Sequence, residues 1–123
     1  MTSKLHIEGS TLCWRDIQGN LHRDEDKPAV IYANGTKLWV QHGKRHRDGD
    51  RPASIYAGGD MHWYQHGQCH RENDLPAVIR ADGYKAWFQR GKLHRDNDLP
   101  AVILVDGSKA WYQHGKFIRA DAA

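Results

Sequence analysis

Histidine, arginine and aspartate recur together along this chain, so their spacing is the first place to look for chemistry. His22-Arg23-Asp24, His46-Arg47-Asp48 and His94-Arg95-Asp96 repeat one tripeptide, and His70-Arg71-Glu72 is its near copy. His-Arg-Asp is the sequence of a phosphoryl-transfer catalytic loop, where the carboxylate takes the proton of the substrate hydroxyl. That chemistry uses one such loop beside a phosphate-binding loop, and here the tripeptide is repeated with no nucleotide loop in sight. His42/His46 and His66/His70 stand four apart near Asp50 and Asp74, which on a helix would offer two ligands to zinc. The segment reads as loop, and the set breaks where Arg90 and Ile118 replace histidines. Surface and turn histidines are therefore expected, with no metal and no cofactor. Cys13 and Cys69 are the only cysteines and form no CxxC pair, which fits free thiols in a reducing, cytoplasmic setting. Cys69 takes a position that is Leu21 or Leu93 elsewhere, so it reads as a small buried apolar residue. A catalytic site is a single constellation, whereas nearly every reactive residue here belongs to a repeated pattern. No catalytic residue is expected, and the chain reads as a non-enzyme.

The elements that position these residues are repeats. Residues 18–41, 42–65, 66–89 and 90–113 are four abutting copies with a period of 24 residues. Gly19, Gly43, Gly67, Gly91 and Gly115 keep the step, as do Trp39, Trp63, Trp87 and Trp111. Residues 1–17 form a worn half-copy and residues 114–123 another, as expected of capping units at the ends of a stack. The 123 residues make one repeat domain. With 39% hydrophobic and 27% charged residues the chain is polar, which suits a thin repeat sheet better than a thick two-layer core. A net charge of +3 and a pI near 9.0 are weak evidence for nucleic acid, because acids and bases alternate inside every copy. The start, MTSKLHIEGS, has no apolar run for a signal peptide, and no segment is apolar enough for membrane insertion.

Within a copy, Pro28–Ala33 and Thr36–Gln41 are short strand-forming runs around Asn34-Gly35. Asn-Gly is a strong signal for a two-residue type I′ hairpin, and Gly58-Gly59, Asp82-Gly83 and Asp106-Gly107 suit the same turn. A two-residue loop predicts Ile31 opposite Leu38 and Ala29 opposite Val40. One face would then carry Ala29, Ile31, Ala33, Leu38 and Val40, and the other Val30, Tyr32, Lys37, Trp39 and Gln41. His42–Arg51 reads as a polar connection, partly folded back because its fourth position is usually apolar. Each of the four prolines, Pro28, Pro52, Pro76 and Pro100, opens a strand. The expected fold class is all-β, an elongated single-layer antiparallel meander of stacked hairpins. The alternative is a β-solenoid with His-Gly as a third corner.

A Gly-Lys-x-His element closing one strand, an Asp-Gly hairpin and an aromatic strand, repeated at this length, resemble MORN repeats. The likeness covers residues 18–119, in a variant form where Arg-Asp-x-Asp-x-Pro stands in place of the family's Gly-x-Gly after the histidine. The resemblance implies a single elongated sheet of hairpins and a role as a scaffold for partners or membranes. This variant occurs in bacterial and viral proteins, and by analogy the chain is expected to act as a virus-encoded inhibitor of a host system.

Two sets of residues are candidates for a site. Trp39, Trp63, Trp87 and Trp111 with Arg47, Arg71 and Arg95 could form an aromatic platform for nucleotides or single-stranded nucleic acid. The competing and favoured reading is that the indoles pack under the folded-back loop. The second set comes from comparing copies: fixed positions serve the unit, and variable ones are free for a partner. The central copies hold the unusual choices Tyr56, Met61, His62, Tyr64, Arg80 and Tyr84, a composition typical of interface hot spots. The expected function is binding of another protein through one sheet face, with nucleotide or nucleic-acid sequestration as the alternative. Oligomerisation through sheet ends or a face is compatible with either.

Overall fold

The computed structural model describes residues 3–123. An N-terminal hairpin, β1 (Lys4–Glu8) and β2 (Thr11–Arg15), leads into the repeats. The first copy holds β3 (Val30–Ile31), β4 (Lys37–Leu38) and β5 (Val40–Gln41), and the second opens with β6 (Lys44–Arg45). Then follow β7 (Ser54–Ile55), β8 (Met61–His62), β9 (Tyr64–Gln65) and β10 (Gln68–Cys69). The pattern continues with β11 (Val78–Ile79), β12 (Lys85–Ala86), β13 (Phe88–Gln89), β14 (Lys92–Leu93) and β15 (Val102–Ile103). The longer β16 (Lys109–Gln113) and β17 (Lys116–Asp121) close the array. Eleven of these strands form one open antiparallel sheet in the order β1-β2-β3-β4-β7-β8-β11-β12-β15-β16-β17. At ~4.8 Å per strand that sheet is about 48 Å long. The all-β meander expected from the repeats is the observed architecture, and the chain does not close into a coil. No helix among the described residues is long and apolar enough to cross a membrane.

The first hairpin of each copy turns where expected, but with a different turn. Gly35 N–H donates to Tyr32 O and Tyr32 N–H to Thr36 O, each at 2.9 Å, so the loop has three residues. Only Gly35 has positive φ (95°), and Asn34 does not. This is a type I turn followed by a left-handed glycine bulge, the common three-residue hairpin. Asn34 contributes through its side chain instead: Oδ1 accepts the Thr36 N–H at 2.9 Å. The extra loop residue corrects the expected register. Val30 faces Leu38 and Ile31 faces Lys37, with the same offset in the later copies. The predicted face compositions fall with the register.

The true type I′ turns are at His-Gly. His42 and Gly43 both have positive φ (49° and 82°), and so do His66-Gly67, Arg90-Gly91 and His114-Gly115. The first three close the small hairpins β5–β6, β9–β10 and β13–β14, inside what the sequence presents as a polar connection, and His114-Gly115 closes β16–β17 at the end of the main sheet. Beyond it, residues 46–53 leave the sheet and return. The chain on either side of that excursion stays bonded to Trp39, whose N–H donates to Ala53 O and whose O accepts His46 N–H.

Across the main sheet one row of side chains reads Cys13, Val30, Leu38, Ser54, His62, Val78, Ala86, Val102 and Ala110. The small hairpins pack against this inner face. Cys13, Ala29, Val30, Leu38 and Val40 form one buried cluster with Leu21. Val78, Ala86 and Val102 form another with Cys69, Phe88, Leu93, Tyr84 and Tyr112. The opposite, outer row reads Leu12, Ile31, Lys37, Ile55, Met61, Ile79, Lys85, Ile103 and Lys109.

Candidate functional site

The repeated His-Arg-Asp-x-Asp segment is a stacking device. Arg47 forks onto Asp26 of the preceding copy, with Nε to Oδ1 at 2.9 Å and Nη2 to Oδ2 at 3.3 Å. Arg71 and Arg95 do the same to Asp50 and Asp74. Each guanidinium also lies on the indole of the preceding copy: Arg47 on Trp39, Arg71 on Trp63 and Arg95 on Trp87, at 3.8–3.9 Å from the ring centroid. The indole Nε1–H donates to the carbonyl of the same aspartate that holds the arginine, for example Trp63 to Asp50 O at 3.2 Å. Every rung therefore ties three groups of two neighbouring copies together. Trp39, Trp63 and Trp87 are buried and Trp111 half-buried. The indole face that a base would stack on is occupied by the chain's own guanidinium.

The histidines complete the same junction. His46 Nδ1 accepts the His66 backbone N–H at 3.0 Å, and Nε2 lies 2.8 Å from Asp48. His22, His70 and His94 make the equivalent pairs. The residues that meet are thus twenty apart, not four. His22 and His42 stack with ring centroids 4.2 Å apart, and Asp16 Oδ2 lies 3.2 Å from His42 Nδ1. Asp16, His22 and His42 bring one ligand atom each within 4.8 Å. Both ring nitrogens of His22 are already engaged, Nδ1 by the His42 backbone N–H at 3.0 Å and Nε2 by Asp24 at 2.9 Å. Asp16 Oδ1 is also engaged, by the Gln18 and Asn20 amides at 3.0 Å. Burial opposes the Asp16 charge, but these amides and the His42 ring together hold its carboxyl below the usual range.

The second copy departs from this regularity on the inner face. Ser54 stands where the others have Val30, Val78 and Val102; it is fully buried, and its Oγ has no hydrogen-bond partner. His62 faces it across the ladder, in a position that is Leu38, Ala86 or Ala110 elsewhere. Arg45 replaces Leu21, Cys69 or Leu93. The two buried clusters stop on either side of these three residues, so the core is interrupted there.

Aromatic and basic side chains surround the interruption. Tyr56 meets the His62 ring edge-on with centroids 5.0 Å apart, and Tyr64 lies 6.4 Å from it. Arg45 sits over Tyr64 at 5.2 Å and its Nη1 donates to the Tyr64 hydroxyl at 3.4 Å. Arg80 lies on Tyr84 at 4.2 Å. Burial, then the nearby Arg45 and Arg80 charges, hold the His62 pKa below its ordinary value, with Asp60 opposing. Cys69, beside Val78, has its thiol pushed up to about 12 by burial and is unreactive as a nucleophile.

Of the six residues singled out from the sequence, Tyr56, His62, Tyr64, Arg80 and Tyr84 gather on this one face. Met61 is turned to the outer row between Ile55 and Ile79, because it precedes His62 in a strand. Ser54 and Arg45 belong to the group but escaped the reading of variable positions. The signal was present as a serine in a column of three valines and an arginine in a column otherwise apolar. A cleft of about 450 Å³ lies elsewhere, between successive excursions, lined by Asp50, Trp63 and Arg71. A smaller copy recurs one repeat later at about 180 Å³, which marks both as by-products of stacking. Comparison with known proteins adds no name to this arrangement: no family model, no curated protein and no solved structure matches the chain.

Proposed function

We propose that this chain is a non-enzymatic, MORN-like repeat protein that binds another protein through the inner face of its central copies. One observation carries the reading: a repeat array that fills this face with Val, Leu and Ala elsewhere places Ser54, His62 and Arg45 at its centre. An unsatisfied buried hydroxyl costs about 1–3 kcal/mol, so the fold alone gives no reason to have it. Tyrosines and arginines around a partly desolvated centre are the residues on which binding energy concentrates. The histidines, arginines and indoles of the repeated segment are engaged in stacking, whereas the polar residues of this face vary from copy to copy and serve no such junction. A virus-encoded inhibitor of a host system is one setting for such a small dedicated binder, by analogy alone.

The test compares capture by the tagged chain with capture by a variant carrying Arg80→Ala and Tyr84→Ala. Proteins retained by the parent are expected to be missing from the variant, with both chains melting alike. Labelled oligonucleotides and nucleotides are titrated in parallel at low and moderate salt. Stoichiometric binding of either would replace protein recognition with the nucleotide reading.

A further inference from the structure

We infer that the partner meets this face with side-chain carboxylates, as an acidic extended segment held by Arg45 and Arg80. The inference rests on the protein-binding reading above and concerns the chemistry of that same face. Its starting point is how this chain treats its other arginines. Arg15, Arg47, Arg71, Arg95 and Arg119 each have a carboxylate within the molecule. Among the described residues, Arg23, Arg45, Arg80 and Arg90 have none; Arg23 is nonetheless engaged, its Nη1 donating to Pro28 O at 3.2 Å, and Arg90 lies at a turn away from this face. Arg80 instead lies over Tyr84, 4.2 Å from the ring centroid, and Arg45 lies 5.2 Å from the Tyr64 centroid with Nη1 donating to its hydroxyl. Arg80 makes no side-chain hydrogen bond among the described residues and Arg45 makes only that one, so both keep N–H donors for a carboxylate acceptor.

The ground between the two arginines is suited to such an acceptor. His62 is partly buried there, and Ser54 Oγ beneath it is fully buried with no partner. The only carboxylate acting on His62 is Asp60, and its Oδ1 already accepts the Ala81 N–H at 2.9 Å. The centre is thus cationic on both sides and short of an anion. Arg45 and Tyr64 belong to one copy and Arg80 and Tyr84 to the next, so an extended segment crossing the junction meets both forks. A nucleotide would also bring an anion, but it needs a free ring face for its base. Tyr64 and Tyr84 already carry guanidinium groups, and Tyr56 is edge-on to His62. Carboxylates on a peptide need no such face.

The sequence supplies variants that the fold already accepts. Position 45 is leucine in two other copies (Leu21 and Leu93), and position 80 is leucine in one (Leu104). Arg45→Leu with Arg80→Leu therefore removes both forks without asking for a new packing. Arg90→His is the control, because His42, His66 and His114 occupy that turn position elsewhere and it removes a charge away from the site. Random short peptides displayed on phage are selected on the full chain, on the double variant and on the control. Asp and Glu are expected to be enriched in peptides selected on the full chain and on Arg90→His, and not in those from the double variant. A synthesised winner should bind the double variant roughly tenfold or more weakly, and lose affinity as salt rises. No selectable peptide, or enrichment that survives in the double variant, overturns the inference. Peptides without acidic enrichment that still fail on Tyr56→Leu overturn it while leaving the binding face in place. Peptides indifferent to every substitution on this face sink the face itself. Inorganic phosphate or ATP binding stoichiometrically, and more tightly than any acidic peptide, assigns the forks to phosphate instead.

Discussion

Trp87→Ala removes an interior rung of the indole–guanidinium ladder and is the sharpest test of what holds the copies together. Trp87 is 7% exposed, donates Nε1–H to Asp74 O at 3.0 Å, and carries the Arg95 guanidinium at 3.9 Å. Truncating a buried indole costs about 3–5 kcal/mol, within which the lost hydrogen bond contributes about 1 kcal/mol. The Arg95 stack adds roughly 0.5–1 kcal/mol. A chain of 123 residues has roughly 6–18 kcal/mol to lose. The substitution therefore removes a large share and lies at an interior junction, where a stack of nearest-neighbour units is most easily uncoupled. In a urea titration followed by circular dichroism the midpoint should fall by about 2 M, for a slope of 1–3 kcal/mol per M. A shift below about 0.5 M would refute the reasoning. Together with lost binding of a ligand, it would mean that the indoles form a site and do not hold the stack.

The remaining predictions concern the turn, the orphan hydroxyl and acid. Gly58→Ala should stabilise the chain by about 0.4–1 kcal/mol, because Gly58 has no positive φ and open space at its Cβ. Gly59→Ala, at φ 103°, should cost about 1 kcal/mol or more; equal losses at both positions in denaturant melts would restore the type I′ turn. Ser54→Val, the residue of three sister positions, should raise stability by about 1–2 kcal/mol, and a lowered midpoint would mean that the hydroxyl has a partner inside the fold. Hydrogen bonds from Arg47, against a smaller effect of burial, hold the Asp26 carboxyl below its ordinary value. The native state thus binds fewer protons than the unfolded chain, so this stability is complete above about pH 4 and is lost as pH falls below it. His62, lowered mainly by burial, adds a loss of the same sign that begins below about pH 6.5. Midpoints measured from pH 7 to pH 3 should decline in both windows, and His62→Leu should remove only the upper one.

The period, the antiparallel hairpin architecture and the approximate places of the turns were legible in the amino-acid order alone. These depend on local chemistry repeated at a fixed interval: a glycine able to take positive φ, a strand-forming run on either side, and identical units that must stack identically. Of the six unusual residues that the sequence singles out in the central copies, five share one face. The register was not legible. Asn-Gly serves a two-residue turn with both residues left-handed, and equally a three-residue turn where only the glycine is, and a single residue of difference exchanges the faces of a strand. The structure chose the turn that puts Val30 and Leu38 together against Val40 and Leu21, a choice made by packing across the sheet. The same exchange sent Met61 outward. His-Gly looked like connection because a histidine at positive φ carries no local signature; only the hairpin it closes shows the turn. Finally, Arg47 has Asp48 and Asp50 close by in the chain, yet it binds Asp26, and His46 meets His66. A copy one step away in the stack lies nearer in space than much of the same loop, and this proximity exists only after the hairpins have stacked.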